Sequence, residues 1–246
     1  MATWALDLDG VLWRGDQPVR GAAGAVARLR GRGTRVVFLT NNAGSTVAEH
    51  LAKLDRMGVD AGPDDLLTSA QAAATLLTPG STALPCAGEG VREALAAAGV
   101  RTVEQAPADA VVVGWHRTFD YDGLARAADA VRGGARLIGT NEDATYPTPE
   151  GLLPGAGAIL AAVATASGAA PEVAGKPHPP MIALVAARVG RVDTMVGDRP
   201  STDGALARAV GARFALVLSG VTHADEVPAT DPAPDVVAPD LAALVP

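Results

Sequence analysis

Two aspartates near the start of the chain are the first residues that could do chemistry. Asp7 and Asp9 stand two apart after a short apolar run, and Gly10 follows them. In extended backbone, side chains at i and i+2 point to one side, so the two carboxylates are expected to crowd together. A divalent cation would relieve their repulsion, because carboxylates are its preferred ligands. A solvated Asp-Gly turn is the alternative. An EF-hand calcium loop is excluded, because Val11 and Leu12 stand where that loop needs a ligand and a glycine.

Further polar residues stand where other strands are expected to end or helices to begin. Thr40-Asn41-Asn42 follows an apolar run, Asp198 follows another, and Lys176 comes just before an expected helix. Ligands bind open α/β sheets at the carboxyl ends of the strands. These clusters are therefore expected to converge from distant parts of the chain.

The converging residues have complementary chemistry. The carboxylates of Asp7, Asp9 and Asp198 suit Mg²⁺, which takes oxygen ligands and keeps waters. Lys176 and the Thr40 hydroxyl can donate to a phosphate group. Backbone N–H groups near Gly10 and Asn41 can add further donors. With a phosphate bound there, one aspartate could act as nucleophile, and the other could protonate the leaving oxygen and then activate water.

Alternating strands and helices are expected to position these residues. The strands are expected at 3–8, 34–39, 110–114, 136–139, 194–196, 213–218 and 235–237. The helices are expected at 22–32, 46–57, 90–99, 121–131, 157–166, 179–190 and 202–210, with a final helical turn at 241–245. This alternation is typical of an α/β protein with a parallel sheet that helices cover on both faces.

Composition limits the classes of partner. The chain has 246 residues and a formal net charge of −7, and its basic residues form no run long enough to indicate nucleic acid. Cys86 is the single cysteine, which excludes an intramolecular disulfide and a multi-cysteine metal site. No signal peptide is recognisable, and the weakly polar stretch 155–171 is too feebly hydrophobic to span a bilayer. A cytoplasmic protein with no membrane contact is expected.

The motifs together resemble a known family. D-L-D-G-V-L-W, T-N-N, G-K-P-H-P and G-D-R-P-S-T-D occur in this order along the chain. Each is weak alone, but together they resemble the haloacid dehalogenase (HAD) superfamily in its type IIA branch, the NagD-like and 4-nitrophenylphosphatase-like phosphatases. The resemblance implies a Rossmann-like parallel-sheet core carrying an inserted C2-type α/β cap domain.

The resemblance also implies a role for each motif residue. Asp7 corresponds to the nucleophile that forms an aspartyl-phosphate, and Asp9 to the general acid/base, whose backbone carbonyl would ligate Mg²⁺. The predicted catalytic residues are thus Asp7, Asp9, Thr40 and Lys176. The predicted metal-binding residues are Asp7, Asp9, Asp198 and Asp203, with Asp203 supporting the water shell of the metal. The predicted substrate-binding residues are Gly10, Asn41, Asn42, Asp143 and Thr145.

The family implies a cap inserted between the second and third motifs. We expect the cap at 78–172 and the core at 1–77 and 173–246. The stretch 140–148 resembles the cap segment T-N-P-D-x-T-Y-P-T of the family, and 154–157 matches its P-G-A-G. Glu142 replaces the usual proline, and His116 stands where many relatives carry aspartate. Both departures lie in the cap, so they bear on substrate identity. Caps of this branch often pair, so a homodimer through the cap is plausible.

Three functions are compatible with these residues. The first is a Mg²⁺-dependent phosphatase acting on a small phosphate ester, such as a sugar phosphate, glycerol phosphate, phosphoglycolate or a nucleotide. The second is a phosphomutase or phosphotransferase on the same core, which would hand the phosphoryl group to an acceptor other than water. The third is a receiver-like phosphoacceptor module, which needs neither the acid at Asp9 nor an inserted domain and is therefore disfavoured.

Overall fold

The structure, a computed structural model, describes residues 1–148 and 151–246. Two parallel β-sheets form its framework. The strands are β1 (Thr3–Leu6), β2 (Trp13–Arg14), β3 (Gln17–Pro18), β4 (Arg35–Thr40), β5 (Leu66–Thr68), β6 (Thr82–Cys86), β7 (Arg101–Thr102), β8 (Ala110–Val113), β9 (Arg136–Gly139), β10 (Thr145–Thr148), β11 (Gly151–Pro154), β12 (Glu172–Val173), β13 (Thr194–Gly197), β14 (Arg213–Val217) and β15 (Val236–Ala238). The helices are α1 (Ala22–Gly31), α2 (Val47–Arg56), α3 (Ser69–Ala74), α4 (Glu89–Ala97), α5 (Tyr121–Arg132), α6 (Ala156–Ser167), α7 (Pro179–Arg188), α8 (Ala205–Ala209) and α9 (Leu241–Leu244). Within the described ranges, no helix combines the length and the apolar character needed to cross a membrane.

The first sheet has the strand order β15-β14-β13-β1-β4-β5, and every pair in it is parallel. Side chains along β4 alternate between two apolar clusters. Val37 and Leu39 join the cluster that contains residues of α3, α7 and α8, whereas Val36 and Phe38 join the cluster that contains residues of α1, α2 and α9. Helices therefore cover both faces of this sheet, which explains why its strands are continuously apolar.

The second sheet has the order β12-β9-β8-β6-β7 and is also parallel. Side chains of α5 and α6 pack on one face through the cluster that contains Val111, Val113 and Leu160. The other face, through Ala110, Val112 and α4, joins the same apolar cluster as the first sheet. The two sheets are thus held together by shared apolar burial as well as by the chain itself.

Near the start of each of three strands, a backbone N–H donates to the carboxylate of an aspartate. The Asp193 carboxylate accepts a hydrogen bond from the backbone N–H of Thr3 in β1, and Asp109 accepts one from Thr82 in β6. Asp235 accepts one from Phe214 in β14. Each bond satisfies a strand-end donor that the sheet ladder leaves unpaired.

The strands divide between the sheets close to the predicted domain boundaries. The first sheet uses residues 3–68 and 194–238, and the second uses 82–173. Val173, predicted as the first residue after the cap, pairs with Gly139 in the second sheet. The prediction of a fold with a Rossmann-like parallel sheet and a second α/β unit is confirmed; the domain limits 1–77, 78–172 and 173–246 stay a prediction.

The structure corrects several predicted elements. The first strand ends at Leu6 rather than at residue 8, because the chain turns there: the amides of Val11 and Leu12 both donate to the Leu8 carbonyl. The helix predicted at 202–210 is a π-helical turn, Pro200–Gly204, followed by α8. Sequence periodicity also missed β5, β6 and the β10–β11 hairpin, since strands this short carry little pattern.

Candidate active site

The carboxyl ends of β1, β4 and β13 meet at one edge of the first sheet. Asp7 directly follows β1, Thr40 is the last residue of β4, and Asp198 directly follows β13. These strands are neighbours, and the amide of Asp7 donates to the Val196 carbonyl at 2.9 Å. Gly10 has a φ of 84°, and a side chain there would collide with the Asp198 carboxylate. The convergence expected from the sequence is therefore present.

Lys176 lies between two of the aspartates. Its Nζ donates to Asp7 Oδ1 and to Asp203 Oδ1, both at 2.7 Å, and to the Leu39 carbonyl at 3.1 Å. The side chain is 2% exposed. Burial alone would lower the pKa of Lys176, but the two carboxylates raise it above its ordinary value. Lys176 is therefore a fixed, fully protonated cation.

Asp7, Asp198 and Asp203 form a buried carboxylate cluster. One oxygen from each lies within 4.8 Å of the others. Burial is the main cause that raises the pKa of Asp7 well above its ordinary value and that of Asp198 to about 7, and Asp203 adds repulsion to both. The Lys176 ammonium bonds two of these three carboxylates, so the described cluster holds more negative than positive charge. The surplus of buried oxygen ligands fits a hard divalent cation such as Mg²⁺, which would stabilise their charged forms.

Asp9 stands apart from this cluster. Its Oδ1 accepts hydrogen bonds from the Trp13 indole Nε1 at 2.9 Å and from the Tyr146 hydroxyl at 3.3 Å. The extended backbone through Leu8 that the expected crowding of Asp7 and Asp9 assumed is absent, since β1 ends at Leu6; the crowding itself stays a prediction. The carboxylates that crowd Asp7 come from β13 and the turn after it, not from its own strand.

Asn41 joins the two sheets at the cleft. Its Oδ1 accepts from the Lys176 amide at 2.8 Å, and its Nδ2 donates to Asp143 Oδ2 at 3.0 Å and to the Lys176 carbonyl at 3.2 Å. The Asn41 carbonyl accepts from Asn141 and from Ser69, both at 2.6 Å. Every polar atom of the Asn41 side chain is therefore used to hold Lys176 and Asp143 in place.

Thr40 and Asn42 shape the loop after β4. The amide of Asn42 donates to Thr40 Oγ1 at 3.0 Å, and Asn42 Oδ1 accepts from the Gly44 amide at 2.9 Å. Thr40 Oγ1 uses a lone pair in the bond from Asn42, and a hydroxyl keeps its O–H as a separate donor, which can point toward the cleft. This is the arrangement needed for a hydroxyl that binds an anion.

Residues of the second sheet close the cleft from the other side. The Trp115 and Tyr146 rings stack with centroids 5.2 Å apart, and Trp115 Nε1 donates to the Pro154 carbonyl at 3.2 Å. Asp143 also lines the cleft, and burial raises its pKa. The cleft has a cavity volume of about 60 Å³ and is partly open to solvent.

The P-G-A-G segment explains how Asp143 reaches the cleft. A methyl group on Gly155 would overlap the Asp143 carbonyl, and one on Gly157 would overlap the Glu142 carbonyl. The Gly157 amide donates to the Asp143 carbonyl at 3.0 Å. The glycines therefore let the start of α6 lie directly against the loop that carries Asp143.

Comparison with known proteins decides the family. Residues 4–101 match the model of the haloacid dehalogenase-like hydrolases, and residues 173–244 match a second HAD-hydrolase-like model. A D-glycerol 3-phosphate phosphatase of Mycobacterium tuberculosis is 40% identical over 97% of this chain and 69% of its own length. The chain belongs to the haloacid dehalogenase-like hydrolases. The resemblance to the type IIA branch is thereby confirmed.

Other HAD relatives extend the comparison. An acid sugar phosphatase of Staphylococcus haemolyticus is 36% identical over 97% of this chain and 93% of its own length. The crystal structure of the M. tuberculosis glycerol phosphate phosphatase with magnesium has a TM-score of 0.91 at 39% identity, covering 99% of this chain and 76% of that one. A p-nitrophenyl phosphatase from Archaeoglobus fulgidus has a TM-score of 0.90 at 29% identity, covering 99% and 97%.

Most of the predicted HAD site residues lie together. The predicted residues that line the cleft are Asp7, Asp9, Thr40, Asn41, Asn42, Asp143, Thr145, Lys176 and Asp198. Gly10 lies directly against Asp198, and Asp203 lies behind Lys176. Their individual roles stay predictions.

The two residues that depart from the HAD cap pattern do not line the cleft within the described residues. The His116 ring contacts Thr118 and lies 3.8 Å from the Cys86 sulfur. Glu142, between β9 and β10, places its Oε1 3.0 Å from Nε2 of His178, the residue before α7. Both side chains therefore lie beside the cleft rather than in it.

Sequence reasoning missed several residues of the cleft wall. Trp115, Tyr146, Asn141 and Arg199 all line it. The signal for Asn141 and Tyr146 was their place in the family-like segment 140–148, which alone did not tell which side chains face the cleft.

Proposed function

We propose that this chain is a Mg²⁺-dependent phosphatase that hydrolyses small phosphate monoesters through an aspartyl-phosphate on Asp7. The observation that carries the proposal is the placement of Lys176 Nζ at 2.7 Å from the Asp7 carboxylate, beside the buried Asp198 and Asp203. The relatives named as phosphatases support the same reaction class.

Mg²⁺ would be held by Asp7, Asp198 and the Asp9 carbonyl, with Asp203 supporting, and would supply the positive charge that a bound phosphate needs. The other donors to the phosphate are residues of the chain: the Thr40 hydroxyl, the Lys176 ammonium and backbone N–H groups of the loops after β1 and β4.

The first step forms a bond between an Asp7 carboxylate oxygen and phosphorus and breaks the ester P–O bond. Asp9 gives its proton to the departing alcohol oxygen. In the second step Asp9 takes a proton from water as the water oxygen attacks phosphorus, and the bond to Asp7 breaks. Inorganic phosphate leaves, and both aspartates return to their initial protonation states.

The second sheet acts as the cap in this proposal. Trp115, Asp143 and, from the β10–β11 hairpin, Tyr146 line the cleft, where they would contact the leaving group. The names of the relatives in M. tuberculosis and S. haemolyticus support the glycerol phosphate and sugar phosphate classes. The cytoplasmic location and the homodimer through the cap stay predictions.

The test is phosphate release from a panel of esters in Mg²⁺ and in EDTA. The panel holds glycerol 3-phosphate, phosphoglycolate, sugar phosphates, a nucleoside monophosphate and 4-nitrophenyl phosphate. Asp7→Asn is compared with Asp64→Asn, which changes an exposed carboxylate far from the cleft. We expect release that needs Mg²⁺, survives in Asp64→Asn and falls by at least about 10³-fold in Asp7→Asn.

Two outcomes would overturn this proposal. Release that persists in Asp7→Asn would reject Asp7 as the nucleophile. Loss of ester without release of inorganic phosphate, with the phosphoryl group found on a second alcohol, would favour the phosphotransferase or mutase alternative.

A further inference from the structure

The side chain of Asp9 is held from two directions by residues that the motifs do not assign. Trp13 is the buried first residue of β2, and Tyr146 lies in β10 of the β10–β11 hairpin. Both donate to the same oxygen, Asp9 Oδ1. We propose that Trp13 and Tyr146 are positioning residues that orient Asp9 so that Oδ2 is the oxygen that gives and takes the proton. This rests on the proposed function.

The two donors decide which oxygen is free. An indole N–H can only donate, so an Oδ1 bonded to Trp13 must present a lone pair. A proton on Oδ1 would oppose the 2.9 Å bond from Trp13 Nε1. Oδ2 accepts no hydrogen bond from the described residues and is not sealed from solvent. The proton is therefore expected on Oδ2, in a fixed orientation toward the cleft that Asp9 lines.

Trp13 is a rigid support. Its side chain is 1% exposed and packs in the cluster that contains Leu8 and Leu12. The Gly10 amide donates to the Trp13 carbonyl at 2.7 Å, which closes the loop between Asp9 and Trp13. The Lys53 ammonium lies 4.5 Å from the centre of the indole ring and covers it. The N–H of Trp13 is therefore directed by packing rather than by Asp9 itself.

Tyr146 reaches Asp9 from the β10–β11 hairpin. The ring is held by its stack on Trp115, whose centroid is 5.2 Å away. The hydroxyl then bonds Asp9 Oδ1 at 3.3 Å across the cleft. This contact requires β10 to lie against the core, so in this proposal the β10–β11 hairpin completes the acid/base group as well as enclosing the substrate.

The dependence on the leaving group distinguishes positioning from simple stabilisation of the fold. An alkoxide such as that of glycerol needs a proton as it departs, whereas 4-nitrophenolate is stable without one. kcat/KM covers the steps through release of the alcohol, so it reports on the acid role of Asp9. Misplacing Oδ2 should therefore harm glycerol 3-phosphate more than 4-nitrophenyl phosphate.

The experiment uses Trp13→Phe and Tyr146→Phe, which remove a donor and keep an aromatic ring. Trp4→Phe and Tyr121→Phe are the matched controls: Trp4 packs at the edge of the same cluster without bonding Asp9, and Tyr121 is 83% exposed. We expect kcat/KM for glycerol 3-phosphate to fall by about tenfold or more in each test variant, and that for 4-nitrophenyl phosphate by less than about threefold.

A second readout follows the base role of Asp9. If Oδ2 is misplaced, attack of water on the aspartyl-phosphate slows, and rapid mixing with 4-nitrophenyl phosphate should show a burst of 4-nitrophenolate that approaches the enzyme concentration. Equal losses of kcat/KM on both esters, with no burst, would show a merely structural role and overturn the proposal, whatever the melting temperature. Unchanged kinetics in Tyr146→Phe would remove Tyr146 from the proposal. If the wild-type enzyme cleaves no ester of the full panel, the proposed function fails first, and this inference fails with it.

Discussion

Asn41 Nδ2 lies 3.0 Å from Asp143 Oδ2, and this hydrogen bond ties the loop after β4 to the loop that follows β9 in the other sheet. Asn41 is buried and Asp143 is half-buried, and both line the cleft. The Asn41 side chain also bonds the Lys176 backbone, because its Oδ1 accepts from the Lys176 N–H and its Nδ2 donates to the Lys176 carbonyl. One residue therefore sets the positions of both Lys176 and Asp143.

Replacing Asn41 by aspartate should break this link. Asn41→Asp exchanges the donor for an acceptor and places two carboxylates 3.0 Å apart. We expect kcat/KM to fall by about tenfold or more. Adding Asp143→Asn restores a donor–acceptor pair in the reversed sense, so the double variant should recover part of the loss. The measured coupling energy in activity and in urea unfolding should be about 1–3 kcal/mol. Additive effects of the two substitutions would show that the contact does not join the sheets.

Much of the first sheet and its strand-end residues could be predicted from the sequence. Apolar runs such as Val36–Phe38 are long enough to identify strands, and parallel strands put their carboxyl ends at one edge. Asp7, Thr40 and Asp198 therefore met as expected. Lys176 precedes α7, and its position depended on the family motif as well as on local pattern.

The partners of Asp9 could not be predicted in this way. The bond from Tyr146 joins residues 137 positions apart, and the bond between Asn41 and Asp143 joins residues 102 apart. Such contacts depend on how two sheets pack, which periodicity within a strand does not encode. The error about the end of the first strand has a local cause: the chain turns at Leu8, whose carbonyl accepts from the amides of Val11 and Leu12.

Binding of Mg²⁺ should stabilise the fold through the buried carboxylates. Asp7, Asp198 and Asp203 repel one another in the absence of a divalent cation. At a Mg²⁺ concentration 100 times the dissociation constant, the gain is about 2.7 kcal/mol, which corresponds to a rise of roughly 5–10 °C in the melting temperature. Scanning calorimetry in EDTA and in Mg²⁺ measures this without any substrate.

Asp198→Asn is the informative variant for that experiment. The loss of one carboxylate should reduce the Mg²⁺-induced rise by more than half. In EDTA the variant should melt no lower than wild type, because it removes one of the three clustered charges. A full rise in Asp198→Asn would place the cation elsewhere.

Asp109 should make stability depend on pH in a defined direction. Hydrogen bonds from the amide and hydroxyl of Thr82 lower the pKa of Asp109 below its ordinary value of 3.8. A carboxyl group whose pKa is lower in the folded than in the unfolded state adds stability at pH values above its unfolded-state pKa. That stability is lost as the pH falls through the folded-state pKa. We expect Asp109→Asn to unfold at lower urea than wild type at pH 7, with the two midpoints converging in strong acid. A difference that persisted or grew toward acid would contradict this assignment.

Gly157→Ala should disturb the cleft from the far side of the second sheet. A methyl group there would overlap the Glu142 carbonyl, so the start of α6 must move away and the loop bearing Asp143 must shift. Overpacking of this kind costs about 1–3 kcal/mol, and a displaced Asp143 should lower kcat/KM by about tenfold. Gly31→Ala is the control, because nothing lies within 4 Å of its added methyl and α1 should gain about 0.5–1 kcal/mol from it. Urea unfolding and ester kinetics on both variants check the pair. If Gly157→Ala loses stability but keeps full activity, the glycine serves packing alone, and the position of Asp143 does not depend on the close approach of α6.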